Sequence, residues 1–262
     1  MQLYDGYIFD LDGTIYLGER LLPGAERVVR ELREAGKSVM FLSNKPIETR
    51  YDYATKLTRL GIPTEVSSVI NSSFVLGKYL RSHAPDCICY VVGEQALLDD
   101  LDEAGVRYTL EPEQLGYQVD YVILSFDRTF HYDKLNRALQ CVKGGARLIA
   151  TNGDRTCPVD GGEIPDAGGV IGAVEGTSGH KVELIVGKPS PITVEVALDV
   201  LGLAPSRCLM VGDRIETDIL MGNEFGLATA LVMTGVTSRA TLEASDIIPD
   251  YVLDSVANIR VR

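Results

Sequence analysis

Short apolar runs alternate with amphipathic segments at both ends of the chain, and this pattern constrains the fold more than any other sequence feature. Near the N-terminus, residues 7–9 (YIF) and 38–43 (SVMFLS) have the pattern of buried strands, and a helical pattern follows each of them. The alternation returns with strands at 208–211 and 227–232. Because strands that alternate with helices form parallel sheets, we expect an α/β protein.

The segment between these two stretches predicts a separate, inserted domain. Two strand-helix-strand units follow one another within residues 85–179. We therefore assign residues 1–82 and 180–262 to a core domain and residues 83–179 to the insert. The Gly-rich stretch from Gly161 to Gly179 lacks the G-x-G-x-x-G spacing of a dinucleotide loop, and we interpret it as a return loop.

Composition excludes several classes of partner. The 37 acidic and 25 basic side chains give a formal charge of −12, which disfavours nucleic acid and anionic membranes. No apolar run approaches the ~20 residues of a membrane span, and the N-terminus lacks the basic start of a secretion signal. The five scattered cysteines indicate neither a disulfide framework nor a zinc site. We expect a soluble, cytoplasmic protein, and the sequence leaves its oligomeric state open, a homodimer included.

Polar residues that can take part in catalysis or bind a metal lie at the ends of predicted strands, in four groups. These groups are Asp10 with Asp12, Ser43 with Asn44, Lys188, and Asp213 with Asp218. Phosphoryl transfer from a monoester needs a nucleophile, cations for the phosphoryl oxygens and a proton for the leaving oxygen. The four groups together contain all three, whereas the three histidines are isolated and fit no metal-ligand spacing.

Each group has an expected role. Asp10 closes a buried strand and can attack phosphorus, and Asp12 can serve as acid and then as base. Asp10, Asp213 and a loop carbonyl suit octahedral Mg²⁺, with Asp218 steadying the metal or its waters. Lys188 precedes a helix N-terminus, where it can keep Asp10 ionised and offset phosphate charge.

Together the four groups resemble the D-x-D-G-T, Ser/Thr, Lys and G-D-x-x-x-x-D motifs of the haloacid dehalogenase (HAD) superfamily. Residues 42–44 (LSN) and 186–190 (VGKPS) are similar to the NagD and nitrophenylphosphatase group, and residues 144–155 and 250–255 to AraL-type sugar phosphatases. The resemblance implies a Rossmann-like core with a parallel sheet and an inserted α/β cap of C2 type. It also implies a phosphatase that uses Mg²⁺ and an aspartyl-phosphate on small phosphorylated metabolites, with sugar phosphates as the expected substrates.

The resemblance also implies residue roles. The nucleophile is Asp10, the general acid and base is Asp12, the metal ligands are Asp10, Asp12 through its main chain and Asp213, and the substrate ligands are Ser43, Asn44 and Lys188. It implies that the strands ending in Asp10 and Asp213 are neighbours. A loop after residues 150–154 (ATNGD) would carry Arg155 and Cys157 toward the substrate, although Cys157 also suits a small buried core position.

Two other functions remain as alternatives. A receiver-type signalling domain also uses strand-end aspartates, Mg²⁺ and a lysine, but it is a single domain with a different motif order. A phosphomutase is the other alternative. An ion pump is excluded because the chain has no membrane-spanning segment.

Overall fold

The computed structural model describes residues 2–159 and 161–261, with only the backbone of residues 158 and 159. Within these residues the strands are β1 Gly6–Asp10, β2 Tyr16–Leu17, β3 Arg20–Leu21, β4 Ser38–Ser43, β5 Val69–Asn71, β6 Ile88–Val92, β7 Arg107–Thr109, β8 Tyr121–Leu124, β9 Arg147–Ala150, β10 Thr156–Val159, β11 Gly162–Pro165, β12 Leu184–Ile185, β13 Cys208–Gly212, β14 Ala228–Val232 and β15 Tyr251–Leu253. The α-helices are α1 Ala25–Glu34, α2 Arg50–Arg59, α3 Ser72–His83, α4 Gln95–Ala104, α5 Tyr132–Lys143, α6 Ala167–Ser178, α7 Pro191–Leu201, α8 Leu220–Phe225 and α9 Arg239–Glu243. No helix in this described part is long and apolar enough to cross a membrane.

The chain divides into two compact units. Unit 1 contains the residues up to Ser43, Arg50–Ile70, and the residues from Lys188 onward. Unit 2 contains Asn44–Thr49 and Asn71–Gly187. The second unit is therefore inserted into the first, and each has its own sheet.

Unit 1 is built on a six-stranded sheet in the order β15-β14-β13-β1-β4-β5. Strand β1 is buried along its whole length and pairs in parallel with β13 on one side and β4 on the other. This confirms the predicted α/β class and the predicted pairing of the strands that end near Asp10 and Asp213. The buried faces of the helices pack on this sheet. For example, Val28 and Leu32 of α1 belong to the same apolar core as Phe9 of β1.

Unit 2 has a parallel five-stranded sheet in the order β12-β9-β8-β6-β7. Its core joins apolar residues of the central strands to α5 and α6, with Val122, Ala138 and Val174 all fully buried. A separate antiparallel pair, β10 and β11, follows β9, with Thr156 opposite Pro165.

Helix α3 lies in unit 2, although the boundary predicted at residue 83 places it in the core domain. The Asn71 amide, just before α3, donates to the Asp100 carboxylate over 2.8 Å. A Cβ at Gly77 would lie 2.7 Å from the Ala104 Cβ, so the two helices pack in close contact. This packing joins α3 to α4, and the local sequence pattern does not indicate it.

The predicted return loop at 161–179 is wrong, because this stretch contains β11 and helix α6. The Asp166 carboxylate accepts from the Ala167 N–H at the start of α6, and Gly179 ends the helix with a φ of 73°. Gly168 must lie close to the backbone of a neighbouring loop, since its Cβ would be 2.9 Å from the Asp154 carbonyl oxygen. Gly168 therefore permits close packing at the first turn of this helix, whereas a Cβ at Gly172 or Gly176 would meet no atom within 4 Å.

Candidate active site

The predicted catalytic residues of unit 1 lie at one edge of its sheet. Asp10 is the last residue of β1, and Asp213 directly follows β13, whose Val211 is opposite Phe9. Ser43 ends β4, where Leu42 is opposite Asp10. Because β1, β4 and β13 are parallel, their carboxyl ends meet at the same edge, and the sheet changes winding direction there.

Lys188 joins two of the acidic residues. Its Nζ donates to Asp10 Oδ1 and to Asp218 Oδ1, each over 2.6 Å, and all three side chains are buried. Burial alone lowers the pKa of Lys188, but the two carboxylates outweigh burial and raise it above its usual value. The lysine is therefore a fixed positive charge beside the expected nucleophile.

Asp213 is held by the loop that follows β14. The Val236 N–H donates to Asp213 Oδ2 over 2.6 Å, and the Thr237 N–H donates to the Asp213 carbonyl over 3.1 Å. Thr237 Oγ1 in turn accepts from the Ile215 N–H over 3.1 Å. This network fixes the orientation of the Asp213 carboxylate.

Two glycines leave room for that carboxylate. A Cβ at Gly235 would overlap Asp213 Oδ2 and Cγ, and a Cβ at Gly13 would lie 2.6 Å from Asp213 Oδ2. The Thr234 hydroxyl also donates to the Gly13 carbonyl over 2.5 Å. Residues 234–237 match none of the motifs that indicate the site in the sequence. The sequence pattern that could have indicated them is a Thr-Gly-Val-Thr loop that follows an apolar strand.

Asp218 lies inside a short π-helical segment, Ile215–Ile219, that leads into α8. Its Oδ2 accepts from the Arg214 N–H over 3.1 Å, and its carboxyl group fills the space that a Cβ at Gly212 would need. The side chain therefore folds back over the end of β13. This places Asp218 beside the other acids and accounts for its ion pair with Lys188.

The acidic cluster has the chemistry of a divalent-cation site. Oxygen atoms of Asp10, Asp213 and Asp218 lie within 4.8 Å of one another. Burial raises the pKa of Asp10, opposed by Lys188 and reinforced by the other two carboxylates. Burial and Asp218 raise the pKa of Asp213 to about 6, opposed by the Val236 N–H. Three carboxylates with one ammonium carry excess negative charge, and their hard oxygens suit Mg²⁺.

Asp12 lies in the turn after β1, half-buried. The turn is closed by the Gly13 N–H, which donates to the Tyr16 carbonyl over 2.8 Å, and by the Ile15 N–H, which donates to the Leu11 carbonyl over 2.8 Å. The structure thus holds Asp12 two residues beyond Asp10 in an ordered turn. Its catalytic role, and its main chain as a metal ligand, stay predictions.

Ser43 and Asn44 are adjacent in sequence but have different surroundings. Ser43 Oγ donates to the Tyr53 hydroxyl over 3.1 Å inside unit 1. Asn44 belongs to unit 2, where its amide donates to Asp154 Oδ2 over 3.0 Å and its carbonyl accepts from the Ser72 hydroxyl over 2.7 Å. Asn44 therefore holds the loop after β9, and its predicted substrate contact stays untested.

The other predicted substrate residues, Arg155 and Cys157, also belong to unit 2. Arg155 is exposed between β9 and β10, whereas the Cys157 side chain, in β10, is only 3% exposed. The burial of Cys157 agrees with its alternative as a small core residue. A direct substrate contact of either residue stays a prediction.

Known proteins resemble this chain over nearly its whole length. A family model for haloacid dehalogenase-like hydrolases matches residues 7–107, and a HAD-hydrolase-like model matches residues 185–259. Sugar-phosphatase AraL of Bacillus subtilis (strain 168) is 41% identical over 254 residues, covering 97% of this chain and 91% of that protein. A p-nitrophenyl phosphatase from Archaeoglobus fulgidus has a TM-score of 0.90 at 31% identity, covering 97% of each chain. NagD from E. coli K-12 has a TM-score of 0.89 at 31% identity, covering 100% of each chain.

The chain therefore belongs to the haloacid dehalogenase superfamily of hydrolases. Within that superfamily it is a NagD-like phosphatase, a phosphoric monoester hydrolase.

Proposed function

We propose that this phosphatase uses Mg²⁺ and an aspartyl-phosphate on Asp10 to hydrolyse small phosphorylated metabolites, with sugar phosphates as the substrate class. The observation that carries the mechanism is the arrangement of Asp10, which is buried at a strand end, bonded to Lys188 and clustered with Asp213 and Asp218. The likeness to sugar-phosphatase AraL supports the substrate class.

The first half-reaction transfers the phosphoryl group to Asp10. A carboxylate oxygen of Asp10 attacks phosphorus in line with the leaving oxygen, and the bond from phosphorus to that oxygen breaks. Asp12 donates the proton that the leaving alcohol needs. In the second half-reaction Asp12 takes a proton from water, which attacks phosphorus, releases inorganic phosphate and regenerates Asp10.

The residues around Asp10 offset the negative charges that meet in this reaction. The Lys188 ammonium is fixed by two ion pairs, so it favours the ionised form of Asp10 and attracts phosphoryl oxygens. Asp10 and Asp213 would hold Mg²⁺, with Asp218 in the same cluster and the Asp12 carbonyl as a further ligand. When bound, Mg²⁺ neutralises the carboxylates and the phosphoryl oxygens, which otherwise repel one another.

Removal of the metal is expected to stop turnover. In EDTA the enzyme should release no inorganic phosphate from a phosphate monoester, and excess Mg²⁺ should restore continuous release. Mg²⁺ should also raise the melting temperature of the wild-type protein, because it binds only the folded cluster. A phosphate-release assay and thermal melts measure these effects.

Asp213→Asn should lose the Mg²⁺-dependent rise in melting temperature. The control Asp254→Asn removes an exposed carboxylate of unit 1 and should keep that rise. Full activity in chelator would remove the metal from the proposed mechanism.

Substrate choice needs residues outside the core motifs, because those motifs are expected to contact only the phosphoryl group and its metal. We propose that Arg155 and Cys157 supply it. The backbone of their loop is held against the first turn of α6, since the Asp154 carbonyl accepts from the Gly168 N–H over 2.8 Å and the Arg155 carbonyl from the Asp166 N–H over 3.0 Å. A fixed loop presents the exposed Arg155 side chain in a defined place.

Arg155→Ala is expected to reorder the preferred substrates. A screen of phosphorylated metabolites with Mg²⁺, ranked by kcat/KM, should change order, while activity on p-nitrophenyl phosphate should change less than about tenfold, or about 1.4 kcal/mol. A bulky residue at Cys157 should have a similar effect by displacing β10. The control Arg81→Ala, also in unit 2, should keep the wild-type ranking. If Arg155→Ala kept that ranking too, the loop would not determine specificity.

A further inference from the structure

Asn152, just beyond the end of β9, lies at the base of the hairpin that β10 and β11 form. Its side chain is fully buried, and its amide nitrogen donates to two carboxylates, Asp154 Oδ2 over 3.1 Å and Asp166 Oδ1 over 2.9 Å. Asp154 precedes β10, and Asp166 follows β11. One amide group therefore holds both ends of the hairpin.

The partners of the Asn152 amide define its orientation. An ionised carboxylate only accepts hydrogen bonds, so the amide nitrogen must face Asp154 and Asp166. On its other side, the amide oxygen of Asn152 accepts from the Thr151 hydroxyl over 3.0 Å. Both N–H groups and the oxygen of the amide are therefore in use, and a rotation of the side chain would break all three bonds.

Thr151 connects Asn152 to the sheet of unit 2. The Thr151 N–H donates to the Leu124 carbonyl at the end of β8 over 3.0 Å, and the Thr151 carbonyl accepts from the Gly187 N–H over 2.8 Å. The Thr151 hydroxyl also lies 2.9 Å from the Ser125 hydroxyl. Because Thr151 donates its only hydroxyl proton to Asn152, Ser125 is the donor in that bond. The Asn152 amide thus has a rigid support.

Arg155, the exposed residue of the proposed specificity loop, lies next to both anchored carboxylates. It directly follows Asp154, and its carbonyl accepts from the Asp166 N–H over 3.0 Å. That backbone bond joins the loop to the start of α6, whereas the Asn152 side chain joins the loop and α6 to the end of β9. The Asn44 amide donates to the same oxygen, Asp154 Oδ2, over 3.0 Å and adds to this support.

We propose that Asn152 is a positioning residue that holds Arg155 in place for substrate recognition. A side chain that contacts a ligand needs supporting hydrogen bonds that keep its backbone in one position. The two bonds from the Asn152 amide give that support to the Arg155 loop. Since Asn152 is fully buried, it acts on the substrate only through this loop. The inference rests on the proposed role of Arg155 in substrate choice.

Two substitutions of Asn152 test the proposal. Asn152→Ala removes both donors, and Asn152→Asp keeps the shape of the side chain but replaces the donors with a third carboxylate. We expect both variants to raise KM for hexose and pentose phosphates by about tenfold, the scale of losing one hydrogen bond to a charged group. KM for p-nitrophenyl phosphate and the inhibition constant of inorganic phosphate should change less than about twofold, because neither ligand contains a sugar. Steady-state kinetics with Mg²⁺ measure these constants.

The matched control is Asn71→Ala. Asn71 is also fully buried in unit 2, and its amide donates to the Asp100 carboxylate over 2.8 Å and to the Glu48 carbonyl over 3.0 Å. Asn71→Ala should lower the melting temperature but keep the wild-type KM values. An equal rise in KM for sugar phosphates in Asn71→Ala and Asn152→Ala would mean that losing any buried amide of unit 2 has the same effect, and would overturn the inference.

A milder variant and a double-mutant cycle complete the test. Asp154 is half-buried, so the fold should tolerate Asp154→Ala, and KM for sugar phosphates should again rise while phosphate inhibition stays constant. In Arg155→Ala, the further change Asn152→Ala should alter KM for sugar phosphates by less than about twofold. Full additivity, or wild-type constants in the Asn152 variants or in Asp154→Ala, would overturn the inference. Failure of the proposed specificity loop is a separate result, because Arg155→Ala by itself would then keep the wild-type ranking of substrates.

Discussion

Asp10→Asn is expected to abolish turnover of every phosphate monoester while the protein stays folded. The amide has the shape of the carboxylate and can still accept from Lys188, but it cannot attack phosphorus. We expect kcat/KM to fall by at least about ten thousandfold, the scale of losing a covalent nucleophile. Phosphate release under saturating Mg²⁺ measures the loss.

The melting temperature of Asp10→Asn shows whether the variant is inactive because it lacks the nucleophile or because it is unfolded. Burial and the neighbouring carboxylates raise the pKa of Asp10, so its ionised form is disfavoured in the metal-free fold. In EDTA, Asp10→Asn should therefore melt at or above the wild-type temperature. Asp5→Asn, at a partly exposed acid of unit 1 that pairs with Lys37 and Arg207, should keep wild-type activity. Near-normal activity of Asp10→Asn would rule out the nucleophile.

Gly235→Ala is expected to have the largest effect of any substitution outside the motifs recognised in the sequence. The added methyl group would occupy the position of the Asp213 carboxylate, so the carboxylate or the loop must move and the bond from the Val236 N–H is lost. We expect activity to fall more than about a hundredfold, in the range found for a misplaced catalytic group. The Mg²⁺ concentration for half-maximal activity should also rise, which a titration measures.

Gly176→Ala is the matched control for this substitution. Gly176 lies inside α6, where an added Cβ meets no atom within 4 Å. Its replacement should leave activity unchanged and stabilise the protein by about 0.5–1 kcal/mol, because alanine favours a helix over glycine. Wild-type activity and Mg²⁺ dependence in Gly235→Ala would show that the loop does not set the position of Asp213.

The sequence predicted the central strands well because burial on both faces leaves an uninterrupted apolar run. Strand β4, for example, has the predicted bounds, residues 38–43. Asp10, Ser43, Lys188 and Asp213 could be found because each stands next to a strand or helix end with a clear local pattern. Recognition of the motifs then predicted that β1 and β13 are neighbours.

What the sequence did not predict depends on contacts between distant residues. The Gly-rich segment 161–179 has the composition of a loop, yet Asp166 caps a helix there and Gly168 allows that helix to contact the loop after β9. The hydrogen bond from the Val236 N–H to Asp213 joins residues that are 23 positions apart in the sequence. Because its donor is a backbone group, no side-chain pattern indicates it. Ser43 and Tyr53 are ten residues apart, and only the fold brings their hydroxyls together.

Trapping the phosphoryl group on the enzyme tests the central claim most directly. Wild-type protein and Asp12→Asn are mixed with substrate and Mg²⁺, quenched in acid within one turnover, digested and examined by mass spectrometry. The proposed mechanism predicts a phosphoryl group on the peptide that contains Asp10. With p-nitrophenyl phosphate as substrate, whose leaving phenolate needs no proton, more of it should accumulate in Asp12→Asn because activation of water is slowed. Borohydride should reduce that acyl phosphate and convert residue 10 to homoserine. Phosphate release while Asp10 remains unmodified at every time point, or a phosphoryl group on another residue, would contradict the mechanism.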